Sequence, residues 1–235
     1  MLTESHEALA REVLIHGPIA RSALGPRLGL SPASLTRLAK PLLERGLFIE
    51  LDDTATGAIG RPVRPLDIAP DLGDVVGIKL TGDAAYVVVT DARARVLVER
   101  EVAVDDSDPR AVIALLASII DEVAQARSVP LAGVGVSVGG LVENGLVVRA
   151  PFLGWRGVDL GAALAAAIEL PVVVENDVVA LVEAERWFGA GRGRSGFSVI
   201  TIGAGVGYGL VVAGKSVHTR EAGVGLGGHI PLDPN

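Results

Sequence analysis

The residues best equipped for chemistry stand together at Asn176 and Asp177, where the apolar run Leu170-Pro171-Val172-Val173-Val174 ends in Glu175-Asn176-Asp177. A run of β-branched residues of that length reads as a strand buried on both faces, as in a parallel sheet. Polar groups at the carboxyl end of such a strand face the crevice where open α/β sheets bind ligands. A carboxamide supplies donor and acceptors, and an ionised carboxylate only acceptors, so the pair suits a polyhydroxylated ligand. An equally simple reading makes Asp177 the cap of a helix running from Val178 to Phe188.

The elements that must position this pair follow from the chain around it. Three strands, Val75 to Leu80, Ala85 to Thr90 and Val96 to Val104, are separated by short polar turns and read as an antiparallel meander. Asp108-Pro109 opens an amphipathic helix through Arg127, and Leu131 to Val138 is a buried strand ending in Gly139-Gly140. Asp159 to Leu170 reads as an Ala-rich helix leading into the Pro171 to Val174 strand. A meander followed by alternating helix and strand predicts an α/β sheet with covered faces. After the glycine loop 189–196, Phe197 to Thr201 begins a second strand set. Ile202-Gly203-Ala204-Gly205-Val206-Gly207-Tyr208-Gly209 then reads either as a glycine turn whose N–H groups approach an anion or simply as a glycine-rich hairpin.

The first seventy residues have a different grammar. Apolar positions make a helical face over residues 5–16, and Gly17-Pro18 stops that helix. A short helix from Arg21 to Leu28, a turn at Gly29-Leu30-Ser31 and a helix from Pro32 to Arg45 capped by Ser31 complete a helix-turn-helix pattern. The last helix turns Ala33, Leu35, Leu38, Leu42 and Leu43 inward and Ser34, Thr36, Arg37 and Lys40 outward. With Ser31, those outward residues are the expected major-groove contacts. Leu47 to Leu51 reads as a strand, 52–60 as a polar loop, and 61–66 as its returning partner, making a wing with Arg61 and Arg64 near its tip or return strand. Arg61 is expected to reach the DNA backbone or minor groove. Five basic residues against one acidic lie between Arg21 and Arg45, whereas residues 1–70 balance at eight each. A local basic face suits phosphate contacts with limited non-specific binding. A three-helix protein-interaction module with solvated charges is the alternative. Pro26 and Pro41 fall inside the second and third helices, where each removes a hydrogen bond, so either those helices kink or their boundaries differ.

Composition narrows the function classes. The 235 residues carry a formal charge of −7 and no cysteine. The first excludes broad nucleic-acid affinity and the second excludes disulfides and thiolate metal sites. No apolar run approaches the ~20 residues of a membrane span, and the start lacks the order of a signal peptide. A cytoplasmic protein of two domains, 1–70 and 71–235, is expected.

Five motifs in order carry a resemblance: Gly135-Val136-Ser137-Val138-Gly139-Gly140-Leu141, Ala150-Pro151-Phe152-Leu153-Gly154-Trp155, Val174-Glu175-Asn176-Asp177, Thr201-Ile202-Gly203-Ala204-Gly205-Val206-Gly207 and Gly228-His229-Ile230. Together they resemble the ROK family of repressors, open-reading-frame products and sugar kinases, and the N-terminal winged helix is similar to the family's regulator branch. The resemblance implies an actin-like, hexokinase-type α/β fold with a sugar cleft. In it Asn176, Asp177 and His229 would bond the sugar beside Glu175, Gly139 and Gly140, and Asp177 would occupy the kinase base position. It also implies a homodimer or homotetramer.

The departures from the family pattern carry equal weight. Where ROK kinases have Asp-x-Gly-Gly-Thr, whose Asp helps hold Mg²⁺, this chain has Lys79-Leu80-Thr81-Gly82-Asp83. Phosphoryl transfer depends on metal and positioned charge, so no catalytic residue and no kinase activity are expected, with Asp177 left to read a hydroxyl. Phe152 stands where sugar-binding members often have Asn, and Leu226 where the family has the Glu of Glu-x-Gly-His, which points to an unusual sugar derivative as inducer or to none. The family's cysteine-rich zinc motif is absent, and His229 alone cannot make a four-coordinate site. No cofactor is expected in this chain, and its end before that motif reads as a truncation, with zinc expected only if a cysteine-containing segment is missing. The expected function is a sequence-specific DNA-binding repressor of sugar genes controlled by a sugar in the cleft. The rivals are a ROK sugar kinase with an appended DNA-binding module and a ligand-independent DNA-binding protein.

Overall fold

The computed structural model describes residues 3–52, 64–203 and 205–217. It divides into two compact units, Met1–Gly73 and Asp74–Asn235.

In the first unit, α1 (Glu4–His16), α2 (Arg21–Leu28) and α3 (Pro32–Glu44) precede a two-stranded antiparallel ribbon of β1 (Phe48–Glu50) and β2 (Leu66–Ile68). Ser31 caps α3 by accepting from the Ser34 backbone N–H at 3.2 Å. Gly29 ends α2 in the left-handed conformation with φ 63°, which glycine adopts without a Cβ penalty. Leu9, Val13, Leu24, Leu35, Ala39, Leu42, Phe48 and Leu66 are buried. Both prolines lie inside unbroken helices, so the helix boundaries stand and each proline leaves one carbonyl without its usual partner. The returning strand is later than the sequence suggested. It is Leu66–Ile68, sharing only Leu66 with the expected 61–66 segment, that pairs with β1, and Ile19 bridges Leu66 from the other side. The wing loop, Arg61 included, lies outside the described residues.

The second unit is built on a five-stranded sheet of order β10-β6-β3-β4-β5, formed by β3 (Asp74–Leu80), β4 (Ala84–Thr90), β5 (Val96–Ala103), β6 (Leu131–Val138) and β10 (Val172–Asn176). The meander β3-β4-β5 is antiparallel, and β3, β6 and β10 run parallel, so their carboxyl ends lie along one edge. Helices α4 (Pro109–Ala126) and α5 (Leu160–Ile168) contribute Val112, Leu116, Ile119, Ile120, Leu160 and Leu164 to the core against Val76, Ile78, Val87, Val89, Val134 and Val136. Asp108 and Asp159 cap these helices with their carboxylates.

Two expectations fail here. Among the described residues the sheet is covered on one face only, and Val75, Lys79, Tyr86 and Val173 are exposed on the other. The valine run of β10 is therefore not doubly buried. It is an edge strand, and Val173 is 68% exposed.

Between β6 and α5 the chain forms a second sheet that the sequence reading did not anticipate: β7 (Leu141–Glu143), β8 (Leu146–Ala150) and β9 (Trp155–Val158), with a short 3-10 turn at Pro151–Leu153. Trp155 anchors it, 3% exposed, with its indole N–H donating to the Ser107 carbonyl at 2.6 Å. After β10 come α6 (Asp177–Trp187) and the antiparallel strands β11 (Phe197–Ile202), β12 (Val206–Val212) and β13 (Lys215–Ser216).

Candidate functional site

The strand β10 runs two residues further than expected, to Asn176, and α6 begins at Asp177 without an intervening loop. The helix cap is Asn176, not Asp177. Its side-chain Oδ1 accepts from the N–H groups of Val178 at 2.9 Å and Val179 at 3.2 Å. Its Nδ2 donates to the Gly140 carbonyl at 2.8 Å, and the residue is 5% exposed. Asn176 thus ties β10, the turn after β6 and the start of α6 together, with one amide hydrogen left over. A buried carboxamide of this kind is satisfied on both ends, as buried polar groups must be.

Asp177 is half-buried at the first position of α6, where the helix dipole favours a carboxylate. Its Oδ1 accepts from the Val178 N–H at 2.9 Å. Its Oδ2 lies toward Gly139, where an added Cβ would come within 3.6 Å of both that oxygen and the Phe152 ring. Gly140 is packed more tightly still, since a Cβ there would fall 2.1 Å from the Arg149 carbonyl. Gly82, in the turn after β3, allows the same intimacy, because its Cβ would meet the Phe152 carbonyl at 2.6 Å. The site therefore gathers Gly82, Gly139, Gly140, Phe152, Asn176 and Asp177. Phe152 is 62% exposed and presents its ring there. The closeness of Gly82 and the Phe152 backbone gave no sequence signal, because it depends on two turns that meet only in the fold.

Glu175 is half-buried, and its Oε1 accepts from the Asn176 N–H at 2.7 Å. Being one residue earlier in the strand, it faces the opposite side from Asn176. There it shares a cross-strand row with Ser137 and the exposed Lys79. Beyond Lys79 the turn satisfies itself, with the Thr81 hydroxyl accepting from the Ala84 N–H at 3.0 Å and donating to Asp83 Oδ1 at 2.8 Å. His229 and Leu226 lie outside the described residues.

The glycine-rich segment has a structural part. Gly207 and Gly209 sit inside β12, and a Cβ on them would come within 2.5 Å of Val178 and 2.2 Å of Val182 of α6, far inside van der Waals contact. Those two glycines let the helix lie on the strand. At the far end of α6, Glu183 accepts from Arg186 at 2.5 and 3.1 Å, from the Trp187 indole at 2.9 Å and from the Ser216 hydroxyl. Burial opposes ionisation of Glu183, but the bonds from Arg186 and Ser216, the Arg186 charge and the Trp187 bond outweigh it and hold the carboxyl below its ordinary value. Sequence reasoning missed this latch.

In the first unit, Arg37 and Lys40 are exposed on α3, and Lys40 lies 3.7 Å from Glu44. Thr36 is also exposed, with its hydroxyl donating to the Pro32 carbonyl at 3.0 Å. Ser34 is half-buried and its hydroxyl accepts from that of Ser31, while Ala33, expected inside, is exposed and Ala39 takes the buried position. The basic face is partly neutralised from within: Arg27 pairs with Glu12 at 3.2 Å and Arg21 with Glu50. Among the described residues no cluster of three or more His, Asp or Glu side chains is placed to hold a metal, and no helix is long and apolar enough to cross a membrane.

Residues 75–235 match the ROK family. The chain belongs to that family. Over 93% of its length it is 28% identical to the DNA-binding transcriptional repressor Mlc of Escherichia coli, covering 55% of that protein, and over 95% it is 26% identical to the xylose repressor of Caldicellulosiruptor bescii, covering 57%. A solved ROK transcriptional regulator, described as a homologue of Mlc, superposes with a TM-score of 0.79 at 27% identity, covering 98% of this chain and 60% of that one. A ROK glucokinase from Streptomyces griseus, solved with glucose and AMPPNP, superposes with a TM-score of 0.56 at 28% identity over 63% of this chain and 47% of its own. The fold of the second unit is thus the actin-like α/β fold of ROK proteins, and the first unit supplies three helices and an antiparallel ribbon ahead of it. The chain spans little more than half the length of the curated relatives it matches.

Proposed function

We propose that this ROK chain belongs to a DNA-binding transcriptional repressor whose ROK unit senses a sugar or sugar derivative and does not phosphorylate it. One observation carries the reading: a three-helix unit with Arg37 and Lys40 exposed on α3 is joined in one chain to a ROK unit whose β3 carries an exposed lysine one residue before its end. Named regulators among its relatives support the first half. Lys79 supports the second, because a cation where the kinases hold Mg²⁺ repels the metal that phosphoryl transfer needs.

On this reading Arg37 and Lys40 enter the major groove, with Ser31, Ser34 and Thr36 along the same helix and Arg61 reaching from the wing. Asp177 accepts from sugar hydroxyls, Asn176 offers its remaining amide hydrogen, and Gly139 and Gly140 bring backbone close to the ligand. His229 completes the set, whereas Glu175 faces the other side of β10 from Asn176 and takes no part in it. Phe152 replaces a hydroxyl-reading group by an apolar ring, which favours a ligand with a C–H face over one bristling with donors. The ligand regulates by preferring one of two arrangements of paired DNA-binding units in a homo-oligomer. A structural zinc does not fit this chain's own donor set, which has no cysteine to join His229.

The test is to select duplexes from a random library with the 235-residue chain and measure affinity against salt. Arg37→Ala is expected to weaken binding of the selected duplex by about tenfold or more, in the range of one lost base contact. Unchanged affinity would remove α3 from the groove. The kinase reading rests on the half-buried Asp177, and ATP-dependent phosphorylation of any hexose would restore it.

A further inference from the structure

At the base of the wing one carboxylate stands between two arginines. Glu50 ends β1, its Oε1 is bonded by Arg21, the first residue of α2, and its Oε2 lies 3.8 Å from Arg64 on the returning chain. Backbone pairing fixes the convergence: Glu50 is in register with Leu66, and Leu66 bridges Ile19, two residues before Arg21. Glu50 is 30% exposed, Arg21 27% and Arg64 64%, so the inner pair is sheltered and the outer one open. Arg21 Nε is buried and has no hydrogen-bond partner among the described residues, so the guanidinium is anchored at Glu50 through its Nη2.

These three residues join the start of α2 to the β1-β2 ribbon, the elements that precede and follow the helix expected in the major groove. Arginines there would bind phosphate on any sequence, a contribution that carries no information and that costs specificity. We propose that Glu50 is a specificity-determining residue: it competes with DNA phosphate for Arg21 and Arg64 and withholds both from random DNA. On a cognate duplex the groove contacts of α3 press the ribbon against the backbone, and a phosphate can then take the place of the carboxylate. On any other duplex nothing supplies that press, and the arginines stay with Glu50. The inference rests on the DNA-binding reading above.

The experiment compares a random-sequence duplex with a duplex selected by the wild-type chain, each titrated from 50 to 200 mM salt. Glu50→Gln is expected to tighten binding of the random duplex at least tenfold, to steepen its salt slope by about 0.9 for each arginine released, and to change the selected duplex by less, so that the ratio between the two narrows. Arg64→Ala, a change at an open surface position, is expected to leave the random-duplex slope of the wild type within about 0.3 and to remove about 0.9 from that of Glu50→Gln. An equal effect of Arg64→Ala in both backgrounds, or an unaltered slope for a folded Glu50→Gln, overturns the role of Glu50 while leaving DNA binding intact. Absence of salt-dependent binding by the wild type to either duplex overturns the DNA-binding reading itself.

Discussion

The ends of β3 and β10 lie in the same sheet with only β6 between them, and they have been furnished in opposite ways. The β10 end is wired into the protein: Asn176 spends three of its hydrogen-bonding positions on α6 and Gly140, and Asp177 sits at a helix N-terminus. The β3 end is not wired. Lys79 is exposed, and the polar groups of the turn after it are satisfied among themselves. One end of the site is fixed geometry, and the other is a free charge of the wrong sign for metal. That contrast teaches how, within one sheet, one strand end can be fixed by its hydrogen bonds while another, two strands away, stays open to solvent.

The contrast is sharpest in stability. Asn176→Ala removes a cap worth about 1 kcal/mol and leaves the part-buried Gly140 carbonyl without this partner at a further 1–3 kcal/mol. Denaturant unfolding is therefore expected to show a loss of about 2–4 kcal/mol, and a loss under 0.5 would mean that the cap is not used. Gly140→Ala forces a Cβ into the Arg149 carbonyl and is expected to cost about 1–3 kcal/mol through backbone displacement. Gly135→Ala, where a Cβ meets nothing within 4 Å, provides the matched control that stays near neutral.

A weaker effect tests whether α6 transmits from one sheet to the other. Glu183 is held below its ordinary value of 4.5, so its contribution to stability is present above that value and is lost as pH falls through the lower folded value. Melting temperature against pH is expected to drop more steeply below pH 4.5 for the wild type than for Glu183→Gln, and parallel curves would remove the latch. Smallest of all is Lys79→Ala, expected within about 0.5 kcal/mol of wild type because nothing in the fold leans on it. A larger loss would place Lys79 in an internal network and erase the difference between the two strand ends.

Much of this was legible in the sequence because it is local. Helix boundaries in the first unit, the β3-β4-β5 meander and α4 all announce themselves by periodicity, proline and capping residues. What escaped is instructive. Asn144-Gly145, between Val142-Glu143 and Leu146-Val147, is the strongest short hairpin signal in the chain, and it makes the turn from β7 to β8 with φ 52° and 85°. Its flanking strands, three and five residues long, are too short to add an alternating pattern to that signal. Val172-Val173-Val174 suggested double burial, yet edge position in a sheet is a property of topology, which composition does not encode. The cap fell to Asn176 and not to Asp177 because β10 continues to the helix without a loop, and either residue type caps well. The glycine segment reads either as an anion-approaching turn or as a glycine-rich hairpin; β11 and β12 make the hairpin, and the helix that needs the side chains of Gly207 and Gly209 to be missing lies some thirty residues upstream.

The most direct test of the whole account is the affinity of the 235-residue chain for its selected duplex with and without each member of a sugar panel. At least one sugar is expected to shift that affinity fivefold or more, the lower end of ordinary coupling between sites, and Asp177→Ala is expected to abolish the shift while leaving affinity for the duplex alone in place. An affinity that no sugar moves, or a shift that survives Asp177→Ala unchanged, would contradict it.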